Sequence, residues 1–148
     1  MTPNPTEIKF GDPDTRIAQT ERWTVLLRPK QPTLGSLVLV CREPVQAFAE
    51  LSPQAFAELG AAVRGVEFVL RAVVKYERIN YLMLMMVDPD VHFHVIPRYA
   101  GSRSFLGTDV RDAGWPGPPV LDSAVDLPPS ARDALIGELR RAWQRIDA

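Results

Sequence analysis

Apolar residues at Phe56, Leu59, Val63, Val66, Val69 or Leu70, and Val73 recur at steps of three and four. That spacing lays one apolar face along a long helix, predicted from Gln54 to Tyr76. Ser52-Pro53, directly ahead, supplies an N-cap hydroxyl and a first-turn proline. A different pattern marks Ser36–Cys41, "SLVLVC", a continuous apolar run that reads as a strand inside a sheet. Thr15–Thr20 and Trp23–Arg28 carry β-favouring residues around a polar "ER" turn and form a predicted hairpin. "INYLMLMMV", Ile79–Val87, and Val91–Arg98 are two more strands. Only "DPD" separates them, so they are predicted to pair as a second hairpin. Near the end, Leu135, Ile136, Leu139, Trp143 and Ile146 share one helical face. Ser130, with Asp133 three residues on, resembles a capping-box start for that helix.

The stretches between these elements are polar. Residues 1–14 read as an arm or loop. Residues 100–129 are rich in Gly, Pro, Ser and Asp, which argues against regular structure there. The order of elements predicts an α+β fold: an antiparallel sheet of about five strands with one long helix and a C-terminal helix. At 148 residues the chain is expected to be one domain, residues 1–148, with its core at about 15–99.

Hydrophobic content of 46% and charged content of 24% are ordinary for a globular domain. A net charge of −1 gives no global field to recruit nucleic acid or anionic membrane, and neither partner is expected. A single cysteine, Cys41, excludes an internal disulfide and reads as a buried thiol among apolar neighbours. With no apolar N-terminal region and no run of about 18 apolar residues, no membrane span and a cytoplasmic location are expected.

The chemistry concentrates in "MMVDPDVHFHVIPRY", Met85–Tyr99, which holds both histidines of the chain. Alternation along a strand sends Val91, Phe93 and Val95 to one face and Asp90, His92, His94 and Ile96 to the other. The apolar set belongs against the helix. Three readings of the histidine pair are open: two half-exposed rings with no task, a His-x-His metal site, or nucleophilic catalysis. The metal reading needs a third ligand. Asp90 lies four strand residues from His94, about 13 Å between Cα atoms, so one ion does not gather both. A neutral imidazole is a good nucleophile near pH 7 and can attack phosphorus. A second imidazole on the same face can stabilise charge on the phosphate oxygens.

"HFHVIPR" resembles the second half of the histidine-triad motif, His-φ-His-φ-His-φ-φ with φ apolar. In that register His94 matches the third histidine, His92 the middle one, and Asp90 stands where the first would be. "RIAQTERWTVLLRPKQPTLGSLVLVCREPV" resembles the N-terminal strands of the same family, with Gly35 at the glycine that begins a strand. The likeness covers roughly Thr15 to Tyr99. It implies a five-stranded antiparallel sheet with helices, a homodimer, and a nucleotidyl hydrolase or transferase working through a histidine–nucleotide intermediate. His92 is then the nucleophile, His94 the phosphate-side partner and Asp90 a modified orienting group. Arg98, Asn80 and Arg28 become candidate contacts to a nucleotide ligand. No metal and no cofactor are implied.

This chain departs from the family where a polar glycine-containing loop ending in Gln-Ser/Thr-Val usually precedes the motif. Here Met86-Val87-Asp88-Pro89 stands instead. A non-catalytic nucleotide-binding or dimer-scaffold protein is therefore the alternative expectation. Each further candidate also has a plainer reading. Arg98 and Asn80 suit a strand end, and Arg28 and Lys30 suit a solvated turn. Trp115 suits a plug that pins its loop, and Met83, Met85 and Met86 suit core packing.

Overall fold

The computed structural model describes residues 2–147. A short helix, α1 (Pro5–Lys9), opens the chain and leads into β1 (Arg16–Gln19) and β2 (Trp23–Leu27). Then come β3 (Lys30–Gln31), β4 (Leu37–Cys41) and the long helix α2 (Pro53–Val73). Beyond it lie β5 (Arg78–Leu82), β6 (His92–Arg98), β7 (Ser102–Phe105), β8 (Thr108–Arg111), β9 (Val125–Asp126) and α3 (Pro129–Gln144). The fold is α+β. Its main sheet has five strands in the order β1-β2-β4-β6-β5, with antiparallel pairing throughout. No helix among the described residues is long and apolar enough to cross a membrane.

β4 lies at the centre of the sheet and all five of its residues are buried, as its unbroken apolar run requires. One face of the sheet carries Trp23, Val25, Leu27, Leu37, Leu39 and Val95 into the core shared with α2 and α3. Trp23 Nε1 donates to the Ala55 carbonyl of α2 at 2.8 Å, which fixes the helix over the sheet. The Ser52 hydroxyl caps α2 by accepting from the Ala55 amide at 3.0 Å. Gly35, at φ +87°, turns the chain into β4 where it passes under the end of α2. A Cβ at Gly35 would meet Val74 at 2.6 Å.

Several expectations are corrected. The arm or loop expected over residues 1–14, whose first residue lies outside the described ones, holds a helix: α1 has a complete capping box from Asn4 and Glu7, with proline in the first turn. Its covering of the sheet's second face explains why that face of β2 and β4 is also apolar. Phe10, Leu26, Val38 and Val40 form a second small core there. Asn4 Nδ2 donates to the Cys41 carbonyl at 2.9 Å, and the Thr24 hydroxyl donates to Glu7 at 2.8 Å, tying α1 down.

α2 stops at Val73, and its buried line is Ala55, Ala62, Gly65, Val66, Val69 and Leu70, while Phe56 is exposed. The helix packs on both the sheet and α3, so small residues sit where backbones approach. A Cβ on Gly65 would run into the Trp143 ring. α3 begins after Pro128 with no side-chain cap, and Ser130 lies inside it, because proline at the first helical position sets the start.

The strand expected over Ile79–Val87 ends at Leu82. Met85 turns to φ +42°, and residues 83–91 form a loop rather than a tight "DPD" turn. The 100–129 region also contains regular structure. β7 and β8 form a hairpin around Leu106 and Gly107, both at positive φ, and β9 pairs with β3. A leucine at positive φ hides that turn from a residue-type reading.

Candidate active site

β6 pairs with β4 so that His92 lies opposite Val40 and His94 opposite Val38. Alternation therefore puts both imidazoles on the face away from α2, as expected. His92 is 1% exposed and His94 7%. Their ring centroids are 5.2 Å apart and the rings nearly perpendicular. Phe10, carried in by α1, stands edge-on to His94 at 5.7 Å and tilted toward His92 at 6.4 Å.

His92 Nδ1 lies 2.6 Å from the Asp90 carbonyl oxygen. A carbonyl only accepts, so Nδ1 carries the proton and donates. In the neutral ring this leaves the lone pair on Nε2, the atom a nucleophile needs. The Asp90 carboxylate is engaged elsewhere, accepting from the Thr6 hydroxyl at 2.8 Å and the Thr6 amide at 3.4 Å. Asp90 thus reaches His92 through its main chain, and its carboxylate anchors α1. The expectation that the carboxylate orients the ring is corrected. Asp90 precedes β6, so strand alternation does not govern where its side chain points.

Burial pushes the His94 imidazolium down to a pKa of about 4, and the positive charges of Arg28 and nearby groups act in the same direction. His94 is therefore neutral at pH 7. Its Nδ1 is enclosed and has no hydrogen-bond partner among the described residues.

The histidines floor a cavity of about 520 Å³, within the range of small-molecule sites. Lys9 and Phe10, Arg28 to Lys30, and Leu84 to Asp88 make its walls. The Arg28 Nε is buried without a partner among the described residues, while its Nη1 donates to the Lys30 carbonyl at 2.7 Å. Lys9 spans to Asp88 at 2.8 Å, joining α1 to the loop over residues 83–91. Within that loop Met86 and Val87 are 88% and 82% exposed. Met83 and Met85 pack against the core as expected, and Met86 does not.

Arg98 and Asn80 are not part of this cavity. Arg98 is buried in a two-pronged pair with Asp112, at 2.7 and 3.0 Å. It also donates to Asn80 Oδ1 at 2.7 Å and to the Gly117 carbonyl at 2.8 Å. Every guanidinium nitrogen is thus occupied in holding the chain after β6 to the sheet. Neither residue reaches the histidine cavity, where the nucleotide contacts were expected. Asp112, distant in sequence, is the partner that a strand-end reading of Arg98 misses. Lys9, Phe10 and the Asp90 carbonyl were also missed as members of the site. The Asn4-Pro5-Thr6-Glu7 capping signature was the available signal for the first two. Cys41 is buried, and burial pushes its thiol up to about 11, consistent with an inert side chain. Among the described residues, no group of three or more His, Cys, Asp or Glu side chains is placed to hold a metal ion.

No protein-family profile matches the sequence, and no curated protein matches it. Solved structures do. A histidine-triad protein from Bradyrhizobium japonicum is 22% identical, with a TM-score of 0.75 over 95% of this chain and 96% of that one. A histidine-triad protein from Sinorhizobium meliloti is 23% identical, with a TM-score of 0.74 over the same shares. A zinc-bound histidine-triad family protein from Mycobacterium smegmatis is 17% identical, with a TM-score of 0.66 over 96% of this chain and 92% of that one. Agreement across nearly the whole of each chain, together with the five-stranded antiparallel sheet, shows that this protein has the histidine-triad fold.

Proposed function

We propose that this protein is a nucleotidyl hydrolase or transferase in which His92 is the nucleophile. The observation that carries the reading is the 2.6 Å bond from His92 Nδ1 to the Asp90 carbonyl, which leaves Nε2 free to attack. Nε2 forms a bond to phosphorus, and the bond from phosphorus to the leaving group breaks, that group departing with the electron pair. Water then attacks the phosphorus, the P–N bond returns its pair to Nε2, and a proton passes to solvent. With another acceptor in place of water the same cycle is a transfer. Arg28, with a buried and unpartnered Nε, supplies positive charge for the phosphate oxygens. His94, neutral at pH 7, is the phosphate-side partner and adds no charge repulsion to a protonated centre.

The ligand is a nucleotide or nucleotide conjugate, and one similar solved structure fits that reading, a hypothetical histidine triad nucleotide-binding protein from Sulfolobus tokodaii. A second reading, binding without turnover, is favoured by the apolar loop of Leu84 to Val87, which offers no side-chain donor to a leaving group. Steady-state hydrolysis of a nucleoside 5′-monophosphate aryl ester separates the two. Turnover that falls by about a thousandfold or more in His92→Asn supports the enzyme. Tight binding with no turnover in the wild type supports the binder.

A homodimer is part of the same proposal. Leu59 and Val63 of α2, Tyr81 of edge strand β5, and Phe93 line a shallow apolar depression, with Phe48 and Phe56 exposed beside it.

A further inference from the structure

The cavity over the histidines is divided by chemistry. Its cations are Lys9, Arg28 and Lys30, and its one carboxylate is Asp88. Lys9 is committed to Asp88. Lys30 is largely exposed and faces Asp126 at 3.8 Å. Of these three cations, Arg28 brings an N–H to the histidine side that is buried and without a partner among the described residues. That complement suits a single phosphate.

Another part of the lining is of a different kind. Leu84, Met86 and Val87 present exposed apolar side chains, and none of them carries a hydrogen-bond donor. Exposed apolar groups gathered at the mouth of a cleft mark a binding surface. Methionine, with its flexible thioether chain, adapts to ligands of varied shape. A second or third phosphate against these side chains would lose hydration without gaining a side-chain donor. An apolar group would gain by being covered there.

Resting on the proposed function above, we propose that Leu84, Met86 and Val87 form a subsite for an apolar leaving group. The substrate class is then a nucleoside monophosphate joined to an aryl or acyl group, in preference to a dinucleoside polyphosphate. In the cycle, Nε2 of His92 bonds to phosphorus while the P–O bond to the apolar group breaks. The freed phenolate or carboxylate carries the electron pair out to solvent, and only its apolar body rests on the subsite.

Binding tests the subsite independently of turnover. The His92→Asn protein is titrated by calorimetry with the 1-naphthyl ester and the methyl ester of one nucleoside 5′-monophosphate. The naphthyl ester is expected to bind about tenfold more tightly, or about 1.4 kcal/mol. Adding Met86→Ser and Val87→Ser is expected to remove that advantage. Equal affinity for the two esters, an advantage that survives the serine substitutions, or binding of neither ester overturns the inference. A preference for naphthyl without any nucleotidyl adduct in the wild type leaves the subsite standing and removes the proposed reaction. An adduct without the preference does the reverse.

Discussion

Asp90 accepts from Thr6 through its side chain and from His92 through its main chain. Asp90→Asn should therefore loosen α1 and leave the His92 ring where it is. We expect a loss of about 1–3 kcal/mol in urea unfolding, the range for removing a charge-assisted buried hydrogen bond. Adduct formation should persist, and a rate loss beyond about tenfold would show that the carboxylate acts on the ring. His94 sets a pH dependence. Its folded pKa of about 4 lies below the ordinary histidine value of 6.5. Between those values the unfolded chain binds more protons, so stability rises with pH. Urea midpoints should fall as pH drops from about 6.5 toward 4, and His94→Gln should flatten that slope. An unchanged slope would contradict a buried neutral His94. The shared face of the histidines was legible because β6 is a regular strand with period-two alternation. The direction of Asp90 was not, because it lies before that strand. The role of Arg98 was not legible either, because its partner Asp112 arrives from a separate segment.

Among the elements, α2 and α3 meet over a glycine. Gly65 lies under the Trp143 ring, with no room for a Cβ. Gly65→Ala should destabilise the protein by about 1–3 kcal/mol in denaturant unfolding, the range for overpacking a close contact. A neutral or stabilising result would mean that Trp143 can move aside. The existence and order of the main strands and both long helices were legible from apolar periodicity. The buried stripe of α2 was not, because a helix packed on two neighbours buries small residues as well as large ones. α1 could have been read from two signals together. One is the Asn4-Pro5-Thr6-Glu7 cap. The other is the all-apolar β4, which needs cover on both faces. The loop over residues 83–91 was hidden for the opposite reason: its apolar letters read as strand, yet Met86 and Val87 face solvent at the cleft.

At the scale of the whole molecule, the apolar depression of Leu59, Val63, Tyr81 and Phe93 suits a second copy of the chain. Light scattering at micromolar concentration should give twice 16.5 kDa, and Phe56→Glu should shift the mass toward the monomer. A monomer mass for the unmodified protein would contradict the homodimer. The site itself is assembled from distant parts of the chain. α1 brings Lys9 and Phe10, the turn after β2 brings Arg28, and β6 brings the histidines. In the proposed cycle His92 attacks phosphorus through Nε2. The most direct test is intact-mass analysis, with peptide mapping, of the protein quenched during reaction with a nucleoside 5′-monophosphate aryl ester. The expected result is a nucleotidyl adduct on His92 that is absent from a folded His92→Ala protein. An adduct mapped to His94, or turnover surviving in His92→Ala, would contradict it.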